Sequence, residues 1–124
     1  FLFFAWLHLI IQCGKYILYV QTNEEGEDTV IKVVAKNFIK LDKKNEVLEI
    51  IKELVEKTRE EKGCIKYELF QDVESEGAIT FIEEWESREA LGEHMASEHF
   101  KRIVPQIKDY TEKDGEISIY TKLI

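Results

Sequence analysis

Six side chains in this sequence are of types, and at spacings, that could do chemistry together: Asn37, Tyr67, Glu83, Trp85, His94 and His99. Alternate residues of a strand share a face. In the segment 78–86, Ile79, Phe81, Glu83 and Trp85 fall together. In 30–40 the apolar face is Ile31, Val33, Ala35, Asn37 and Ile39, and in 63–72 it is Ile65, Tyr67 and Leu69. A polar group on such a face must be paired, because leaving it buried and unsatisfied costs about 1–3 kcal/mol. These groups therefore either satisfy one another or line a ligand pocket. Core aromatics with a polar tip would account for Tyr67 and Trp85. Asn37 and Glu83 are harder to explain as packing, since isolated Asn and Glu are seldom placed inside without a reason. A desolvated Glu83 would be hard to ionise, which suits proton transfer.

His94 and His99 are five residues apart, which on one straight helix points them about 140° apart. They make a poor metal pair unless the helix breaks at Ser97. No cysteine or His-xxx-His spacing supports a metal, so none is expected. Gly-rich phosphate loops and a GxSxG elbow are absent. An acid, an indole and an imidazole from adjoining elements could nevertheless converge on one cavity.

The elements that must position these residues follow from periodicity. The segment 30–40 alternates as a strand. Asp42 can cap a helix whose apolar residues Val47, Leu48, Ile51, Leu54, Val55 and Thr58 recur at helical spacing, with Gly63 as its terminator. A second strand covers 63–72, a polar turn 73–77, and a third strand leads to an N-cap at Ser87. Leu91 and Met95 give the next helix its stripe. Ser97 offers a further N-cap before Phe100, Ile103, Val104 and Ile107, and Pro105 predicts a kink. Asp114-Gly115 reads as a turn before a last strand, 116–123, with Ile117, Ile119, Thr121 and Leu123 on the inner face. Strand, helix, strand, strand, helix, strand is the α+β, ferredoxin-like βαββαβ order, an antiparallel sheet with helices on one face. The other face keeps Val34, Phe38, Phe70, Ile82 and Tyr120, more apolar surface than a solvated face usually carries. A homodimer packing sheet against sheet would cover it.

Charge narrows the partners. The formal net charge is −8, with 25 acids against 17 bases, which argues against nucleic acid and against an anionic membrane surface. Cys13 and Cys64 form no CxxC and read as free thiols, suited to a reducing cytoplasm. Residues 1–20 stand apart: they hold no acid and one base, Lys15. They have the length of a membrane span, but Gln12, Gly14 and Lys15 interrupt them, and a basic n-region is missing. Regular patterning begins at Val30. Residues 1–29 are therefore expected to lie outside the domain, either as a membrane or export segment or as a leader foreign to the natural protein, and 30–124 to form one domain.

From Val30 to Leu123 the chain resembles the antibiotic biosynthesis monooxygenase (ABM) domain family, including its quinol monooxygenase type. The residues that carry the likeness are Gly63-Cys64-x-x-Tyr67, Glu83-Glu84-Trp85-Glu86-Ser87, Ala90-Leu91-x-x-His94 and His99-Phe100. The resemblance implies a dimeric α/β barrel of two ferredoxin-like subunits. It also implies oxidation of a small electron-rich aromatic by O₂ with neither metal nor flavin. On the matching positions it implies His94 as the proton acceptor, Tyr67 and Asn37 as orienting groups, Trp85 as a pocket wall, and His99 as a secondary candidate that gates or hydrogen-bonds from the helix end; Glu83, from its place on the apolar face, is expected beside the substrate with them. Two related branches set alternatives. One degrades haem and shares an Asn at Asn37, but the Trp and axial His it uses fall at His94 and Val104. The other isomerises a small phosphorylated sugar, for which the apolar face shows no assignable cation. A non-catalytic dimer that binds a small ligand is the remaining reading.

Overall fold

The structure, a computed structural model, describes residues 11–13, 16–18 and 29–124. Two short strands, β1 (Ile11–Cys13) and β2 (Tyr16–Leu18), pair antiparallel. The rest of the expectation for residues 1–29 lies outside the described residues. Among those described, no helix is long and apolar enough to cross a membrane.

The remaining elements are β3 (Ile31–Ile39), a 3₁₀ turn (Leu41–Lys43), α1 (Lys44–Arg59), β4 (Cys64–Asp72), β5 (Ser75–Trp85), α2 (Arg88–Ala96), α3 (Glu98–Asp109) and β6 (Thr111–Thr121). The four long strands form one antiparallel sheet in the order β4-β5-β3-β6, the ferredoxin-like arrangement. Ile31, Val33 and Ile39 of β3 and Ile79, Phe81 and Trp85 of β5 are buried under Val47, Ile51, Leu54, Leu91, Met95, Ile103 and Ile107 of the helices. Parity therefore placed the core on the correct face of both central strands.

The edges depart from simple alternation. Cys64 pairs with Trp85 and Lys66 with Glu84, so Ile65 is the extra residue of a β-bulge. It is exposed, where alternation put it inside, and Cys64 takes the inward place, half-buried against the core. The β4–β5 hairpin is tighter than a 73–77 turn: Asp72 pairs with Ser75, and the Asp72 carboxylate accepts from the Glu74 N–H at 2.9 Å. Asp114-Gly115 is not a turn but an irregularity inside β6, where Lys36 pairs with Glu116 and Phe38 with Lys113. A Cβ on Gly115 would stand 2.5 Å from the Lys36 carbonyl oxygen, so only glycine allows the two strands to lie this close. Leu123 lies beyond β6 and is exposed.

Helix ends show the same mixture. Asp42 falls in the 3₁₀ turn, and α1 starts without a side-chain cap. Gly63 does not terminate α1, which ends at Arg59; it takes φ +86° and packs against Ala90, where a Cβ would lie 2.5 Å from the alanine methyl. Ser87 caps α2 by accepting from the Ala90 N–H at 3.1 Å. α3 continues as one helix through Pro105 to Asp109.

Candidate active site

Ser97 holds the helix break on which the two histidines depend. Its backbone is extended (φ −67°, ψ 154°), which ends α2 and begins α3. Its Oγ donates to the His94 carbonyl oxygen at 2.6 Å and accepts from the Phe100 N–H at 3.4 Å. The break cancels the angular separation expected of one straight helix. Both imidazoles now meet a residue that sequence reasoning missed, Glu61, in the turn after α1. His94 Nδ1 lies 2.7 Å from Glu61 Oε2, and His99 Nε2 lies 2.8 Å from Glu61 Oε1. Glu61 sits in the charge run Arg59-Glu60-Glu61-Lys62, which reads as a solvated face and gives no signal of a partner 33 residues on.

The protonation pattern follows from donor chemistry. An ionised carboxylate only accepts, so each facing ring nitrogen carries the proton. In a neutral imidazole protonated at Nδ1, the lone pair is on Nε2. His94 Nε2 is buried and has no hydrogen-bond partner. The ring is wedged between Trp85, Phe100 and Tyr67, with centroids 4.6, 4.9 and 5.3 Å away, so its orientation is fixed by packing as well as by Glu61. Held this way, His94 can accept a proton at Nε2 while Glu61 stabilises the imidazolium that results.

His94 borders a mainly apolar cavity of about 140 Å³ between the sheet and α2–α3, and Asn37, Tyr67 and Glu83 also line it. Strand pairing sets Tyr67 opposite Glu83, and Glu83 opposite Val33, in one row across three strands. Burial pushes the Glu83 pKa up to about 7; the hydrogen bond that its Oε2 accepts from the Trp85 indole N–H at 2.9 Å opposes the shift, and the charge of Glu61 adds to it. Burial, followed by the charges of Glu83 and Glu61, holds the Tyr67 phenol well above its ordinary value. Tyr67 is thus a hydrogen-bond donor to whatever occupies the cavity. The Asn37 amide makes only a long contact, 3.4 Å, to the Ala35 carbonyl, which leaves most of its bonding capacity for a ligand.

The structure does not bring all six residues to the cavity wall. Trp85 is fully buried and absent from the lining, bonded to Glu83 and packed at a tilt of 32° against the His94 ring. His99 bonds the other carboxylate oxygen of Glu61 and is absent from the lining. Lys36 and Lys108 are also among the lining residues, but the Lys36 ammonium turns to the outer face of the sheet, 3.6 Å from the Asp72 carboxylate and 5.4 Å from the centre of the Phe38 ring. The burial of Cys64 pushes its thiol up to about 11, so it is no nucleophile at neutral pH.

Comparison with known proteins agrees with the fold. Residues 30–106 match the family model described as antibiotic biosynthesis monooxygenase. The chain belongs to the ABM family. An uncharacterized protein of Synechocystis sp. is 33% identical over 96 residues, which is 77% of this chain; the chain spans 65% of the length of that relative. A crystal structure of an antibiotic biosynthesis monooxygenase superposes with TM-score 0.73 at 44% identity, covering 76% of this chain and 99% of the other. A conserved protein from Methanosarcina mazei Go1 gives TM-score 0.75 at 39% identity, covering 78% and 96%. ABM membership supports a monooxygenase-type function. For this ABM domain the question becomes which residues act, and on what.

Proposed function

We propose that this ABM protein is a cofactor-independent monooxygenase that oxidises a small quinol-type aromatic with O₂, working as a homodimer. The observation that carries the reading is the Glu61–His94 pair: His94 lines the cavity, and its Nε2 is buried without a hydrogen-bond partner. Proton removal from a quinol hydroxyl by Nε2 leaves an electron-rich anion, which passes electrons to O₂ without help. One oxygen atom enters the ring and the other leaves as water, so quinol plus O₂ gives a hydroxyquinone plus water. The four electrons come from the substrate. Tyr67 and Asn37 hold substrate oxygens, and the apolar walls exclude water from the anion.

Volume bears on the substrate. A cavity of about 150 Å³ suits a benzene-sized guest, and this one is of that size. A monocyclic diol therefore fits better than a naphthalene diol. The test is oxygen uptake by the metal-stripped protein with hydroquinones of one and two rings, for the wild type and His94→Ala. Uptake above autoxidation that disappears in the variant, with the fold retained, supports the proposal. Autoxidation rates alone on every diol would remove it.

A further inference from the structure

We propose that Glu61, His94 and His99 form a binding site for a divalent transition metal of the Zn²⁺ class, and that filling it switches His94 off as a base. Three elements contribute: the turn after α1, the end of α2 and the start of α3. One ligand atom from each residue lies within 4.8 Å of the others. Two imidazoles and a carboxylate suit Zn²⁺, Ni²⁺ or Cu²⁺ rather than Mg²⁺ or Ca²⁺. Three protein ligands leave one tetrahedral position for water. Metal–ligand distances near 2.1 Å put tetrahedral ligand atoms about 3.4 Å apart. His94 Nδ1 and His99 Nε2 now lie 2.7 and 2.8 Å from different oxygens of Glu61, Oε2 and Oε1, so a small turn of the carboxylate and of the His99 ring brings one oxygen and the two nitrogens, already within 4.8 Å of one another, to that spacing. The His94 side chain is 1% exposed and cannot move far, while those of His99 and Glu61, 14% and 17% exposed, sit toward the surface and give a route of entry.

The consequence follows from the tautomers. At present the proton on His94 Nδ1 faces Glu61 and the lone pair is on Nε2. A metal takes a lone pair at Nδ1, so the neutral ring must carry its proton on Nε2 instead. His94 Nε2 then carries an N–H donor where it carried a lone pair, and it can no longer take a proton from a substrate. The same exchange at His99 moves its proton to Nδ1. The metal thus replaces the two protons now shared with one carboxylate, without changing the charge of either ring. The effect on turnover rests on the role given to His94 above; the binding does not.

The test is titration of the full-length apo-protein with Zn²⁺ alone, in competition with a chromophoric zinc indicator. We expect one ion per chain, with affinity weakened about tenfold or more in Glu61→Gln and in His99→Ala. Ring ¹⁵N spectra should show the His94 proton move from Nδ1 to Nε2 as zinc binds. His99→Ala removes a ligand that is not among the buried core residues, so a failure to fold does not obscure the result. Absence of zinc binding to the wild type, or equal binding by both variants, would overturn the site. Binding that is lost in the variants, in a protein that shows no oxygen uptake, would keep the site and remove the oxygenase reading.

Discussion

Glu61 Oε2 and His94 Nδ1 stand 2.7 Å apart although 33 residues separate them in the chain. The bond fixes which ring nitrogen carries the proton, and so which one keeps the lone pair. Glu61→Gln offers an amide N–H in place of one carboxylate oxygen and removes the charge that stabilises a protonated ring. The variant should lose on the order of 10²-fold in kcat, the lower end of a general-base contribution, with KM little changed. Steady-state oxygen uptake measures both.

Glu83 makes stability depend on pH. In the folded protein it keeps its proton up to about pH 7, while in the unfolded chain it releases it near the ordinary 4.5. Between those values the folded state binds more protons, so this contribution is full below 4.5 and is lost as pH rises through 7. Glu83→Gln keeps an acceptor for the Trp85 indole and cannot ionise. Relative to the wild type, the variant should gain stability between pH 5 and pH 8, by an amount on the order of 3 kcal/mol. Urea denaturation at the two pH values measures the difference, and an unchanged gap would refute it.

Ser97 serves both helices at once. Ser97→Ala removes the acceptor for the Phe100 N–H and the donor to the His94 carbonyl. The loss should be about 1–2 kcal/mol, as for a helix cap. The urea midpoint reports it.

The outer face of the sheet should hold two copies together. Phe70 and Tyr120 stand half-exposed there, at opposite edges of the sheet. Phe70→Lys and Tyr120→Lys, combined, should give monomers by analytical ultracentrifugation while the far-UV spectrum stays unchanged. A dimer that survives both changes would place the interface elsewhere.

Val104 lines the cavity from α3. Val104→Phe should fill much of the volume and raise KM for a single-ring diol at least tenfold, with the thermal midpoint lowered by no more than overpacking usually costs. A KM equal to that of the wild type would show that substrate binds elsewhere.

The sequence alone carried the element order, the apolar face of the two central strands, both serine caps and the family likeness. Each is local or periodic: a strand repeats every two residues, a helix every 3.6, and a cap spans one turn. The same rule that buried Val33 and Phe81 put Asn37, Tyr67 and Glu83 on one side of the sheet, so half of the cavity was legible before any coordinates. Tertiary structure decided the rest. Ile65 faces out because a bulge, set by pairing with β5, adds a residue that alternation cannot foresee. Trp85 and His99 share the neighbourhood but not the wall, since depth behind a surface has no sequence period. Glu61 looked like one more solvated acid because nothing nearby in the chain marks it. Only the fold, by docking the turn after α1 against the break at Ser97, turned that acid into the partner of two histidines.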